Sequence, residues 1–100
     1  MKIGNFYLLS YHQYHNFASS HDLIRYIGRR KNKGFFCQIM ASDLNEFVLN
    51  EANAYNNYFL GDDTFFDSIQ SIEEVPKEKL PLYIGWPFIN PILSEILKAL

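Results

Sequence analysis

The stretch KIGNFYLLSY, Lys2 to Tyr11, decides the fold class, because its apolar and aromatic residues follow one another without helical spacing. Such a run predicts a β-strand, and one that can be buried on both faces. A second stretch, GFFCQIM from Gly34 to Met40, is dense in apolar residues and starts at a glycine, so it predicts another strand. An all-α fold stays open only if both of these interpretations fail.

Helical spacing follows the first predicted strand. Leu23, Ile24 and Ile27 would share one face of a short helix that begins at a serine of ASSHD and ends at Gly28. The RRKNKG segment after it is interpreted as a polar turn.

Two further helices are predicted in the middle of the chain. The first begins at Ser42 or Asp43 and ends at Gly61, since its apolar residues recur at spacings of three and four. The second runs from Asp62 to Pro76. Its buried face would hold Phe65, Phe66, Ile69 and Ile72, and its exposed stripe Asp63, Asp67, Gln70 and Glu74.

The last quarter of the chain is punctuated by prolines. KLPLYIGWPFINP is predicted to be extended, with a short edge strand at Leu82–Ile84. Asn90 suits the N-cap and Pro91 the first position of a closing helix, whose buried face would hold Leu93, Ile96, Leu97 and Leu100. The whole pattern predicts a single α+β domain over residues 1–100, with a few antiparallel strands packed with four or so helices.

Composition narrows the class of protein. The 48% hydrophobic and 17% aromatic content is too high for a disordered chain, and no run of about 18 apolar residues predicts a membrane span. The N-terminal residues lack the pattern of a secretory signal. A lone cysteine, Cys37, allows no internal disulfide, so we expect a cytoplasmic protein.

Candidate catalytic residues are few. His12 and His15 lie three apart, and on a strand that spacing turns them to opposite faces, which disfavours a metal site. A small RNase that uses His12 or His15 is a third hypothesis. Cys37 is expected to be a small buried hydrophobic residue. No motif for a nucleophile, a phosphate loop or a cofactor is present. We therefore expect no enzyme activity, no metal and no cofactor.

Charge is unevenly distributed along the chain. Residues 1–40 carry six basic groups and one acid, whereas residues 41–100 carry ten acids and three basic groups. The cluster Arg29, Arg30, Lys31 and Lys33 is the basis of an alternative function, a nucleic-acid-binding or regulatory protein. The sequence pI of about 5.8 and the lack of a recognised module argue against that alternative.

The acidic residues give the stronger signal. From Asp43 to Glu78 there are nine acids against one base, Lys77, so these carboxylates form either a solvated face or a docking surface for a basic protein. The nearby aromatic residues are candidate anchors for such a partner: Tyr55, Tyr58, Phe65, Tyr83 and Trp86.

The segment FLGDDTFFDSIQSIEEVPKEKLPLYIGWPFINPILSEIL, from Phe59 to Leu97, resembles small immunity proteins of bacterial contact-dependent growth inhibition and related polymorphic toxin systems. The resemblance implies a non-enzymatic inhibitor that binds and neutralises a basic toxin, commonly a nuclease. It also implies that the acids of the segment face the toxin's cations, with Tyr58 beside them: Asp62, Asp63, Asp67, Glu73 and Glu74.

Overall fold

The computed structural model describes residues 1–12, 21–29, 35–43, 58–61 and 67–100. Within these ranges the chain forms six strands, one 3-10 helix and one α-helix. The strands are β1 (Phe6–Tyr11), β2 (His21–Arg29), β3 (Phe35–Ser42), β4 (Tyr58–Gly61), β5 (Ile69–Val75) and β6 (Phe88–Ile89). The 3-10 helix is Lys77–Tyr83, and the α-helix, α1, is Pro91–Lys98.

One antiparallel sheet dominates the fold. Its strands lie in the order β4-β3-β2-β1-β5, and β6 pairs with the end of β3 beyond β4. The predicted arrangement of four or so helices on a few strands is therefore wrong, and so is the all-α alternative. The two strands predicted from KIGNFYLLSY and GFFCQIM are confirmed as β1 and β3.

The first predicted helix is a strand, because β2 occupies His21–Arg29. Leu23 and Ile24 are both fully buried, but they belong to the cores on opposite faces of the sheet. The pairing of β2 with β3 also shifts register twice, between Leu23 and Ile24 and between Tyr26 and Gly28. These irregularities hide the two-residue period of the strand, so the apolar spacing mimics a helix.

The two helices predicted in the middle of the chain are also contradicted where the structure describes them. Gly61 ends strand β4 rather than a helix, and residues 44–57 lie outside the described ranges. Ile69–Val75, predicted as helix, is strand β5, while residues 62–66 are not described. Ile69 and Ile72 have helical spacing, but antiparallel pairing with β1 determines the conformation here.

The helix at the end of the chain is confirmed. Asn90 caps α1, because its Oδ1 accepts a hydrogen bond of 3.0 Å from the backbone N–H of Ile92. Leu93 is fully buried as predicted, whereas Leu100 is 60% exposed, so its predicted burial is wrong. The edge strand predicted at Leu82–Ile84 is wrong as well, since the 3-10 helix runs through Leu82 and the strand lies at β6.

A separate apolar core covers each face of the sheet. The first core joins β1, β2, β3 and β5 to the 3-10 helix and α1, and it holds Phe6, Leu23, Met40, Ala41, Val75, Leu80 and Leu93. The second holds Tyr7, Leu9, Ile24, Cys37, Ile39 and Phe88. Cys37 is fully buried, as expected. Neither helix in the described part is long and apolar enough to cross a membrane.

Candidate partner-binding edge

Strand β5 lies at one end of the sheet. Among the described strands it pairs only with β1, so one of its two long edges has no neighbouring strand. The residues from Gln70 to Glu74 are all exposed, and because successive side chains alternate in direction, both faces of the strand are open to solvent here. Among the strands whose burial the structure describes, β5 is the one with five consecutive exposed residues.

The two glutamates of β5 point to opposite faces of the sheet. The register places Glu73 opposite Leu8, which packs against the core under the 3-10 helix and α1. Glu74 lies opposite Tyr7, which belongs to the core on the other face. Negative charge therefore flanks the open edge on both sides.

Each carboxylate has a different local environment. Glu74 Oε1 accepts a hydrogen bond of 2.8 Å from the side-chain amide of Asn5. Glu73 lies near Tyr83, whose pKa is raised chiefly by burial and further by the negative charge of Glu73. Asp67 is exposed two residues before β5 begins. We refer to Asp67, Glu73 and Glu74 as the acidic edge.

No basic side chain neutralises the acidic edge within the described residues. The ion pair that the described residues do form joins His21 Nδ1 to Asp43 Oδ2 at 2.7 Å, and neither residue belongs to β5. The carboxylates of the acidic edge therefore face solvent without a lysine or arginine in salt-bridge contact, in the part of the chain that can be described.

Apolar side chains are exposed close to the acidic edge. Leu82 is 74% exposed and Ile84 is 52% exposed, and they flank Tyr83, the neighbour of Glu73. The Tyr83 and Trp86 rings meet edge to face, with centroids 4.8 Å apart. Sequence reasoning named the two aromatic residues as anchors but missed Leu82 and Ile84. Their position between two prolines was the available signal, and it was used for a strand instead.

The structure does not bring all of the predicted partner-binding residues together. Tyr58 begins β4, at the opposite end of the strand order from β5. Asp62 and Asp63 lie outside the described residues. In the alternative basic cluster, Arg29 is exposed at the end of β2, while Arg30, Lys31 and Lys33 are not described.

A partly buried polar cluster, which sequence reasoning missed, connects β1, β2 and β3. The carboxylate of Asp22 accepts a hydrogen bond from the Tyr11 hydroxyl at 2.8 Å and another from the Ser42 side chain. Burial raises the pKa of Asp22, and these two hydrogen bonds oppose the shift. The same burial, with the charge of Asp22 nearby, raises the pKa of Tyr11. The cluster therefore links three neighbouring strands by side-chain hydrogen bonds that are partly shielded from water.

The two histidines in the described part of the chain, His12 and His21, lie in different environments. Both Asp43 carboxylate oxygens are used by His21, since Oδ1 accepts from the His21 backbone N–H at 2.6 Å and Oδ2 contacts its Nδ1. His12 is exposed, and His15 is not described. Within the described ranges, no three histidine, cysteine or acidic side chains cluster as metal ligands would.

Comparison with known proteins adds no relative. Neither a protein-family model, nor a curated protein, nor a solved structure matches this chain. Function has to be inferred from the geometry of the chain itself.

Proposed function

We propose that this chain is a non-enzymatic inhibitor that binds and neutralises a basic protein, as small immunity proteins do with nuclease toxins, and that the acidic edge is its contact surface. One observation supports the proposal most directly. Asp67 and Glu73 are exposed on or beside an open edge strand, with no lysine or arginine in contact with them among the described residues.

Exposed carboxylates of this kind act mainly on the rate and selectivity of association. They attract a basic surface over a Debye length of about 8–10 Å, and they disfavour acidic or neutral partners. Their direct contribution to affinity is small, because each is hydrated in the free protein. We therefore expect binding that weakens as salt is added.

Affinity would come from apolar contacts beside the acidic edge. Leu82 and Ile84 expose most of their side chains, and burying them against a partner removes apolar surface from water. Trp86, which is partly buried, packs its ring against Tyr83, the residue between them in the sequence, and can support the contact. This combination of apolar centre and charged rim is the usual composition of a protein interface.

Protection of the edge strand is the competing explanation for these charges. Charged side chains on an edge strand prevent unwanted pairing with other chains, and they need no partner to be useful. The two explanations differ in outcome, because loss of protection causes aggregation, whereas loss of a contact surface removes inhibition.

Growth rescue distinguishes them. A panel of basic ribonuclease and deoxyribonuclease toxin domains is expressed in bacteria with and without this chain, and one domain is expected to be neutralised. The double variant Asp67→Lys/Glu73→Lys should lose rescue and weaken binding about tenfold or more. Glu95→Lys, which reverses one exposed acid on α1, should retain rescue. Full rescue by the double variant would contradict the proposal.

A further inference from the structure

The backbone of β5 offers hydrogen-bonding groups at the open edge. The His12 N–H donates to the Ser68 carbonyl at 3.0 Å, so the even-numbered residues of β1 direct their backbone groups towards β5. The odd-numbered residues point to β2, as shown by the bond of 3.0 Å from the Tyr26 N–H to the Asn5 carbonyl. Because these directions alternate along a strand, the pairing with β1 shows which backbone N–H and C=O groups of β5 are already hydrogen-bonded.

Two residues of β5 direct their backbone groups away from the sheet. Glu73 pairs with Leu8 and Val75 with Phe6, so Glu73 and Val75 use their backbone groups for the ladder with β1. Ile72 and Glu74 alternate with them, so their N–H and C=O groups point outward. Both residues are exposed, and no described strand pairs with them on that side.

Charge determines what can occupy this edge. A second copy of the chain is disfavoured, because pairing two β5 strands would gather the Glu73 and Glu74 carboxylates of both copies, and β5 contains no lysine or arginine. A strand with basic side chains on both faces would instead place cations opposite Glu73 on one face and Glu74 on the other. Ile72, 40% exposed, would supply an apolar contact on the same face as Glu74.

We propose that the partner binds by strand addition, so that an extended basic segment pairs with the open edge of β5 and its backbone bonds to Ile72 and Glu74. This inference rests on the proposed function and specifies how the acidic edge is used. The backbone bonds fix the register and direction of the segment, and the two glutamates select its charge.

Amide exchange on the intact chain tests the inference. The probe is a synthetic peptide of about eight residues in which pairs of lysines alternate with pairs of valines, so that lysine stands on both faces of its strand. Hydrogen exchange of the Ile72 and Glu74 amides is measured by NMR at low salt. Saturation with the peptide should slow it about tenfold or more. A control peptide carries methyl groups on the backbone nitrogens that would face β5. It keeps its charge but cannot form the hydrogen-bonded ladder with β5, so it should give no protection.

Variants at one position separate backbone from side-chain effects. Ile72→Pro removes the outward N–H and leaves the ladder to β1 in place, because proline is tolerated on an edge strand where its nitrogen faces water. It should weaken peptide binding about tenfold, whereas Ile72→Ala, which keeps the N–H, should still show protection of Glu74. Should Ile72→Pro fail to fold, the methylated peptide on the unaltered chain gives the same comparison.

The outcomes separate this inference from the proposed function. Binding of the lysine–valine peptide without slower exchange at Ile72 and Glu74 would overturn strand addition, and the growth-rescue result would stand by itself. Absence of peptide binding at low salt would also overturn strand addition. Equal protection by a glutamate–valine peptide would contradict the role given to charge. A dimer of the free chain with these amides already protected would make a second copy the occupant.

Discussion

The hydroxyl of Tyr11 donates a hydrogen bond of 2.8 Å to the Oδ2 atom of Asp22. The two residues lie on neighbouring strands, β1 and β2, and their side chains share one face of the sheet. The side chain of Ser42, on β3, bonds to the same carboxyl group. No lysine or arginine pairs with Asp22 in the part of the chain that the structure describes. Neutral donors therefore offset part of the cost of removing this carboxyl group from water.

Removing the Tyr11 hydroxyl should destabilise the fold. Tyr11→Phe leaves the ring in place but takes one donor from a partly buried carboxyl, and we expect a loss of about 1–2 kcal/mol in the free energy of unfolding. Urea denaturation measures it. Tyr26→Phe is the matched control, since Tyr26 faces the same core and no described residue bonds to its hydroxyl. Equal effects of the two substitutions would show that the Asp22 contact is not the cause.

Asp22 should make stability depend on pH in a defined direction. Burial raises its pKa in the folded state, so the folded chain holds this proton more tightly than the unfolded chain. The resulting stabilisation is fully present below the unfolded pKa of about 4 and is lost as pH rises through the folded pKa.

The variant Asp22→Asn isolates this contribution, because its amide stays neutral at every pH. The free energy of unfolding of the unaltered chain, measured relative to that of Asp22→Asn, should fall as pH rises from about 4. Denaturation at a series of pH values gives the difference. A difference that grows with pH would mean that the Tyr11 and Ser42 hydrogen bonds outweigh burial.

Gly28 should not tolerate a side chain. Its φ angle is +132°, and an added Cβ would lie 3.3 Å from Cδ1 of Ile3. Because Ile3 is 73% exposed and can move, backbone strain is the larger cost, and Gly28→Ala should lose about 1–3 kcal/mol. Gly85→Ala serves as the control, since nothing lies within 4 Å of its added Cβ. Thermal denaturation that shifts equally for both would argue against strain at the bulge.

Asn90 should be sensitive in two separable ways. Its Nδ2 donates to the Ile39 carbonyl at 2.9 Å, and its Oδ1 caps α1, so Asn90→Ala removes both contacts at a fully buried position. We expect a loss of about 2–4 kcal/mol from the two contacts together. Asn90→Asp keeps the cap but loses the donor, and it places a charge near the Ile39 carbonyl. Circular dichroism during denaturation compares them with Ser94→Ala, an exposed control on α1.

Leu93 and Leu100 test the buried face of α1. Leu93 is fully buried in the core that joins α1 to the sheet, so Leu93→Ala should lose about 2–5 kcal/mol. Leu100 is 60% exposed, and Leu100→Ala should change the free energy of unfolding by less than about 0.5 kcal/mol. Comparable losses at both positions, measured in urea, would contradict this assignment of the buried face.

Elements with a local cause were predictable from the sequence. The Asn90–Pro91 pair begins the last helix regardless of the rest of the fold, and five of the six residues of β1 are apolar or aromatic. Strands β2 and β5 were not predictable in this way. In β2 two register shifts disturb the alternation, and in β5 exposure on both faces leaves no apolar alternation to detect.

The candidate site was predictable in its charge but not in its geometry. Asp67 and Glu74 were expected to be exposed on one stripe of a helix, and both are exposed. The helix itself is wrong, because Glu73 and Glu74 lie on strand β5 and point to opposite faces of the sheet. The separation of Tyr58 from β5 follows from strand order, which depends on long-range pairing that no local pattern specifies. The order of the strands in the sheet is therefore the information that the sequence pattern did not provide.

The position of Cys37 in the second core turns the chain's single thiol into an intrinsic reporter of unfolding. Burial raises the pKa of this thiol, and the charge of Asp22 raises it further, so little reactive thiolate exists while β3 stays paired. An alkylating reagent would then modify the chain only during excursions that separate its middle strands. The labelling rate counts those excursions without any engineered probe.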